Sequence, residues 1–328
     1  MHVSVVIPTW RGRHLLEAYL PSVIAACDSY KKNQGAATEI VVVEDASGDD
    51  TMQWLHTRYS GEVRAVEHPQ NLGFCAACNT GFSHARFPVV LLLNNDVRLE
   101  ADCIAPLAKH FQDATVFAVT GKMFNQKGDV FCNGGKVAQF RRGMWSSFQN
   151  YDVLPSAEAD SALLSFAAIG AFSAYDREKF LNIGGFEPMT AMFEDIELSY
   201  WAWKRGWLVQ YEPRSVAHHD ASQTMRLRYK ERSLDRLSRR SRLWMHWLLL
   251  HDRGMFGWHL ASLSVRMLTS WIYLDWDFYW AVLTGIGNLG KILRTRNKNR
   301  KNTKRSDREL LQLLEHFYRT APIALRNS

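Results

Sequence analysis

A chain of 328 residues with 47% hydrophobic content can bury one large core or two smaller ones. Its five cysteines, odd in number and scattered (Cys27, Cys75, Cys78, Cys103, Cys132), fit reduced thiols in a cytoplasmic protein better than a disulfide framework. The net charge of +7 is uneven: residues 225–328 hold 21 Lys+Arg against 8 Asp+Glu and residues 1–224 hold 19 against 25, so an acidic body carries a basic tail.

From Met1 the chain enters a strand pattern with no charged and then apolar leader, so no secretion signal is expected. Residues 3–7 read as a strand stopped by Pro8 and Thr9, and residues 15–27 carry helical apolar spacing. A second buried strand over 39–43 ends in Glu44-Asp45-Ala46-Ser47. Residues 48–51 open a short helix reaching about Tyr59, and 63–67 form a third strand. The loop His68-Pro69-Gln70-Asn71-Leu72-Gly73 leads into a helix of small residues over 74–85. Cys75 and Cys78 there have redox spacing, but no second pair accompanies them for zinc, and small residues opening a helix explain them better. Five branched residues, 89–93, then run into Asn94-Asn95-Asp96, as in a central strand covered on both faces.

This alternation of strands and helices with short connections predicts an α/β fold with a mostly parallel sheet and helices on both faces. Pro8 and Thr9, Glu44 and Asp45, Asn71, and Asn94 to Asp96 all fall at carboxyl ends of successive strands, where open α/β sheets bind ligands. One such turn is ordinary loop chemistry, whereas four on one edge favour a nucleotide-type ligand. No Gly-x-Gly-x-x-Gly follows the first strand and no Gly-x-x-x-x-Gly-Lys-Ser/Thr occurs, which argues against dinucleotide cofactors and glycine-loop ATP hydrolysis. A nucleoside diphosphate would then need a metal or basic side chains to meet its charge.

Residues 101–111 read as a helix and 116–120 as a strand, and the glycine-rich stretch 121–151 as strand pairs and loops over the substrate side. A short apolar segment over 167–174, broken by Gly170, leads to Gly184-Gly185-Phe186. A helix then runs from about Phe193 to Arg205, stopped by Gly206, and opens on Glu194, Asp195 and Glu197. Acids favour a helix start, but three within four residues exceed what a cap needs. A carboxylate held there suits general-base work on a hydroxyl.

Six blocks in this order are similar to family 2 glycosyltransferases of the GT-A fold: 3–9 (VSVVIPT), 43–47 (VEDAS), 71–74 (NLGF), 93–97 (LNNDV), 184–186 (GGF) and 193–198 (FEDIEL). The resemblance covers roughly residues 3–225. It implies that Pro8, Thr9, Glu44, Asp45, Asn71, Gly73, Asn94 and Asn95 line a nucleotide pocket, with the acidic pair at the pyrimidine. It further implies that Asp96 ligates Mg²⁺ or Mn²⁺ bridging the diphosphate, joined by His218, with His219 as the alternative. Asp195, in the pair with Glu194, would be the catalytic base. Asn94 stands where the first Asp of Asp-x-Asp is expected, so the metal would lean on fewer carboxylates. The implied reaction is an inverting transfer from a UDP- or dTDP-sugar, dTDP-rhamnose among them, to a hydroxyl of a lipid-linked or surface-polysaccharide acceptor, as in O-antigen assembly. A nucleotidyltransferase, with residues 8–13 as a partial phosphate loop, or a non-catalytic sugar-nucleotide-binding protein are the alternatives. The chain divides into a catalytic region 1–224 (halves 1–120 and 121–224) and a helical, basic, aromatic-rich region 225–328.

In that last region Gln223-Thr224-Met225-Arg226-Leu227 partly resembles the Gln-x-x-Arg-Trp block of processive synthases, with Leu227 in place of Trp. No uncharged apolar run reaches about 18 residues, so spanning helices are not expected. The Trp-rich stretch 244–292 and basic run 291–308 read either as buried helices or as helices lying on the inner face of a bacterial membrane, the reading preferred here. No nucleic-acid recognition fold accompanies the basic run.

Overall fold

The computed structural model describes residues 1–155, 163–219 and 231–326. The central sheet begins as four parallel strands in the order β3 (Val63–Glu67), β2 (Thr38–Glu44), β1 (Val3–Thr9) and β4 (Val89–Leu93). Each of these strands except β3 is dominated by buried side chains on both faces, which is why their sequences are nearly unbroken Val, Ile and Leu. Beyond β4 the sheet becomes mixed. β10 (Phe172–Asp176) runs antiparallel between β4 and β6 (Val116–Phe124), β11 (Leu208–His219) is parallel to β6, and β5 (Val97–Leu99) is antiparallel to β11. A short β7 (Phe131–Asn133) pairs with β6. In the glycine-rich stretch β8 (Lys136–Arg141) and β9 (Met144–Val153) form the hairpin that the sequence suggests, and β12 (Ile323–Leu325) extends it to three strands.

Helix α1 (Arg13–Gln34) is longer than its apolar spacing suggests, because its last two turns are mostly exposed polar residues anchored by buried Tyr30; Gly35, at φ 59, ends it. α2 (Thr51–Arg58) and α3 (Phe74–His84) match expectation. The helix expected over 101–111 is shorter, α4 (Ile104–Lys109) followed by a 3₁₀ turn. α5 (Arg177–Ile183) precedes α6 (Glu194–Lys204), the helix that opens on the acids. Two apolar layers cover the sheet, one built with α1 and α4 and the other with α3 and α6.

Among the described residues five further helices follow: α7 (Glu231–Leu249), α8 (Arg253–Ser270), α9 (Trp276–Gly287), α10 (Leu289–Arg300) and α11 (Asp307–Thr320). The reading of this region as buried helices is realised in part. Leu243, Trp244, Leu248, Ile292 and Leu310 share a buried cluster with Trp201 and Trp203 of α6. An ion pair of 2.5 Å between Lys204 and Asp307, neither exposed, fastens α6 to α11. The outer faces of α8 and α9 are apolar yet open to solvent. Among the described residues no helix is long and apolar enough to cross a membrane. The Gln223–Leu227 block lies outside the described residues.

Candidate active site

The carboxyl ends of the parallel strands meet as their order requires. Asp45, just past β2, is buried and accepts hydrogen bonds from the Leu72 and Gly73 N–H groups at 2.8 Å each, and its Oδ1 lies 2.8 Å from His68 Nδ1. The Asn71 amide donates to the Asp45 carbonyl at 3.1 Å. Gly73 is at φ 88, a backbone that favours glycine, and this lets two consecutive N–H groups turn onto one carboxylate. Glu44 is turned instead onto the Ser47 N–H and hydroxyl, and burial raises its pKa. Glu44 and Asp45 are thus both engaged by the chain's own donors, which shape the loop edge. Pro8 is buried at the end of β1, and Thr9 Oγ1 accepts from Asn95 Nδ2 at 2.9 Å. Gly12 sits against that contact: an added Cβ would overlap Asn95 Nδ2 and lie 2.6 Å from Thr9 Oγ1.

Asp96 is 4% exposed, and its Oδ1 lies 3.0 Å from His219 Nε2. Neither atom has a hydrogen-bond partner among the described residues. His218 is the residue expected beside Asp96, and the structure turns it elsewhere. Its Nε2 is 2.7 Å from Glu100 and its Nδ1 is 3.1 Å from the Asn125 carbonyl oxygen. Successive side chains of a strand point to opposite faces, so on β11 only one of the two histidines can face Asp96, and it is His219. Gln126 reinforces this by donating to the carbonyls of Asp96 and His218 at 3.0 and 3.3 Å.

Two buried polar atoms 3.0 Å apart with no hydrogen bond between them suit a divalent cation. Ligands at about 2.0–2.1 Å around an octahedral ion lie about 3 Å from each other. Two protein ligands leave room for phosphate oxygens and water, and no group of three His, Cys, Asp or Glu is assembled among the described residues. Asn94 follows β4; its N–H donates to the Ala171 carbonyl at 3.1 Å, and its buried Oδ1 has no partner among the described residues.

Residues 170 and 171 join this edge to the acids of α6. The Gly170 N–H donates to Asp195 Oδ2 at 3.4 Å while Ala171 accepts from Asn94, so one short segment spans both constellations. Burial raises the pKa of Asp195, opposed by hydrogen bonds from Ile196 and Gly170 N–H and by the charge of Lys136. Glu194 is pushed up by burial and by Asp195, and its Oε2 has no partner among the described residues. Glu197 is turned inward, accepting from Trp201 Nε1 at 2.6 Å, and burial pushes it up to about 8. Lys136, at the start of β8, is brought down by burial to about 8 against the pull of Asp195. Nothing in the sequence marks Lys136 or Gln126, and Gly170 shows there only as a break in an apolar segment; all three become neighbours of the acids or of the Asp96–His219 pair only through tertiary pairing. Cys75 and Cys78 are buried on α3, with thiols raised by burial, and take no part in this edge.

A family model described as glycosyl transferase family 2 matches residues 4–184, more than half of the sequence. The chain belongs to glycosyl transferase family 2. Over 236 residues this family member is 22% identical to poly-beta-1,6-N-acetyl-D-glucosamine synthase of Staphylococcus aureus, covering 70% of this chain and 52% of that one. It is 36% identical over 99 residues to undecaprenyl-phosphate 4-deoxy-4-formamido-L-arabinose transferase of Edwardsiella ictaluri, 29% of each. Over 199 residues it is 25% identical to the human probable polypeptide N-acetylgalactosaminyltransferase 8, covering 55% of this chain and 31% of that one. The chain therefore spans about a third to a half of the length of these curated relatives. Among solved structures, GalNAc-T7 with UDP, GalNAc and Mn²⁺ superposes with a TM-score of 0.66 at 18% identity, over 98% of this chain and 58% of that one. S. aureus TarS 1-349 with UDP-GlcNAc gives 0.52 at 17% identity, over 97% and 92%. These likenesses establish the fold as GT-A, with the helical C-terminal region appended.

Proposed function

We propose that this glycosyltransferase moves a sugar, with inversion, from a UDP- or dTDP-sugar to an acceptor hydroxyl. One observation carries the reading: the unpartnered Asp96–His219 pair is tied through residues 170 and 171 to Asp195. The solved relatives support it in kind, since GalNAc-T7 is described with UDP, GalNAc and Mn²⁺ and TarS with UDP-GlcNAc.

In this mechanism Asp45, Asn71, Gly73, Thr9 and Asn95 hold the nucleoside. Among the described residues Asp45 Oδ2 accepts from Gly73 alone and retains a lone pair for a pyrimidine N–H. Asp96 and His219 would hold Mg²⁺ or Mn²⁺, and such an ion would supply positive charge to a departing diphosphate. Asn94 offers its free amide oxygen to the same edge. Asp195 removes the acceptor proton; burial keeps its affinity for that proton above that of an ordinary aspartate, as a base working near neutrality needs. Burial and the neighbouring Asp195 raise Glu194 as well, so the two carboxyls resist carrying two negative charges side by side. For the acceptor we favour a lipid-linked or surface saccharide at the inner face of a bacterial membrane, with dTDP-rhamnose among the candidate donors. The support is the basic, aromatic tail together with the relatives described as acting on undecaprenyl phosphate and as synthesising a polysaccharide.

The test is release of UDP and dTDP from a panel of sugar nucleotides with Mg²⁺ or Mn²⁺, wild type against Asp195→Asn. Metal-dependent release that drops about 10²- to 10⁴-fold in the variant supports the assignment. Absence of binding for both nucleotides overturns the pocket.

A further inference from the structure

The corner between α8 and α9 exposes four consecutive large apolar side chains. Trp271, Ile272, Tyr273 and Leu274 are 61–80% exposed, and Trp276 follows at 64%. Four neighbours this open form a protrusion, since residues lining a groove would shield one another. The apolar surface continues along α8, where Trp258, Val265 and Leu268 stand on one side with Ile272 at helical spacing. Leu283 and Ile286 extend it on α9 and Leu289 and Leu293 on α10.

The corner is also preorganised. Leu274 has φ 52, a left-handed backbone that is strained for a leucine. Asp275 holds its base, bonded to Arg239 at 2.8 Å and Arg266 at 3.1 Å, and Asp277 lies 3.4 Å from Arg236. A solvent-facing turn would be cheaper with Gly or Asn at position 274 and polar residues around it. The chain instead fixes an apolar point in place and leaves it uncovered, which is costly for a surface that stays in water.

We propose that this corner is a wedge that enters the interface of an anionic lipid bilayer, with α8, α9 and α10 lying along the surface. Charge selects this occupant. Residues 253–305 hold ten Lys+Arg against two Asp, and both acids are already neutralised by arginines. Exposed Lys291, Arg294 and Lys298 alternate with the apolar residues of α10, the pattern of a helix resting among anionic headgroups. Trp and Tyr at the tip suit the boundary between headgroup and acyl chain. Among the described residues no helix is long and apolar enough to span, and the wedge asks only for helices lying along the surface. This deepens the membrane-held acceptor reading above but needs no sugar chemistry to be tested.

The full chain is sedimented with vesicles of phosphatidylcholine alone or with 30% phosphatidylglycerol, as wild type, Leu268→Glu and the double variant Trp271→Glu/Leu274→Glu. Wild type binds the anionic vesicles; each lost anchor weakens binding about tenfold. Brominated acyl chains quench wild-type tryptophan fluorescence, while the double variant keeps its melting temperature and its hydrolysis of sugar nucleotide in solution. Failure of wild type to bind either vesicle, or equal binding by the variants, overturns the wedge and leaves the transferase reading intact. A wild-type dimer in light scattering that the same substitutions dissociate, with no vesicle binding, also overturns it and assigns the surface to a second copy. Loss of nucleotide-sugar hydrolysis in wild type with vesicle binding preserved would instead overturn the transferase reading alone.

Discussion

Asp96 and His219 stand 3.0 Å apart without a hydrogen bond between them, while His218, one residue earlier on β11, is held 2.7 Å from Glu100 on the opposite side of the strand. The two histidines therefore separate in a metal titration. Losing a ligand costs at least as much as losing an outer partner of one, about 10- to 100-fold in affinity. Asp96→Ala and His219→Ala should each weaken Mn²⁺-dependent UDP binding by that much, and His218→Ala should leave it unchanged. Calorimetry of UDP binding with and without Mn²⁺ reads this directly. Equal losses for the two histidines would reverse the assignment.

Gly12 touches the Thr9–Asn95 contact from the loop after β1, and the added methyl of an alanine has no room there. Backbone conformation is not the obstacle, since φ at Gly12 is −113. Gly12→Ala should force Asn95 away from Thr9, lowering donor affinity about tenfold, a cost comparable to a lost hydrogen bond or a strained rotamer. The melting temperature should change little, because the contact lies at the sheet edge. Donor titration and calorimetric melting of the same sample separate the two effects.

Lys136 approaches Asp195 from β8, and its positive charge holds that carboxylate, the proposed base, below where burial alone would set it. Replacing it with a neutral side chain removes that opposition, so the pKa of Asp195 rises and a smaller fraction is ionised at a given acidic pH. The acid limb of kcat/KM against pH should therefore move to higher pH in Lys136→Met and stay in place in Lys136→Arg. A residue needed only for folding would lower the whole profile without moving its limb.

The parallel half of the sheet was legible because strands buried on both faces announce themselves as unbroken apolar runs, as in Val89–Leu93. Asp45, Asp96 and Asp195 were visible for a related reason: polar residues that end such runs, or crowd a helix start, are placed by local chain geometry. What decided between His218 and His219 was the register of β11 against β5 and β6, set through a shift between Glu212 and Val216, and neighbouring residues carry no trace of it. Lys136 and Gly170 were hidden similarly, since they meet Asp195 only when β8 and the segment before β10 are folded over α6. The helical tail was divided between two readings because its helices have one face in the core and another, apolar, open to solvent.

That division makes Lys204 and Asp307 a test of how the tail supports α6. Asp307 accepts from Lys204 Nζ at 2.5 Å, from the Tyr200 hydroxyl at 2.9 Å, and from the backbone N–H groups of His251 and Asp252 at 2.5 and 2.6 Å. Burial drives Lys204 down, and Asp307 opposes this; the lysine and those N–H donors hold Asp307 low although burial would raise it. Removing one member leaves the other charge buried and unpaired, which costs about 3–5 kcal/mol, whereas removing both charges costs less. Lys204→Met and Asp307→Asn should each lower the urea midpoint sharply, and the double variant should recover part of the loss. Because Lys204 ends the helix that begins at Asp195, partial unfolding of α11 should also raise hydrogen exchange along α6 in the single variants. Additive losses in the double variant would show that the pair is not a coupled anchor, and α6 would then owe its position to the Trp201 and Trp203 packing alone.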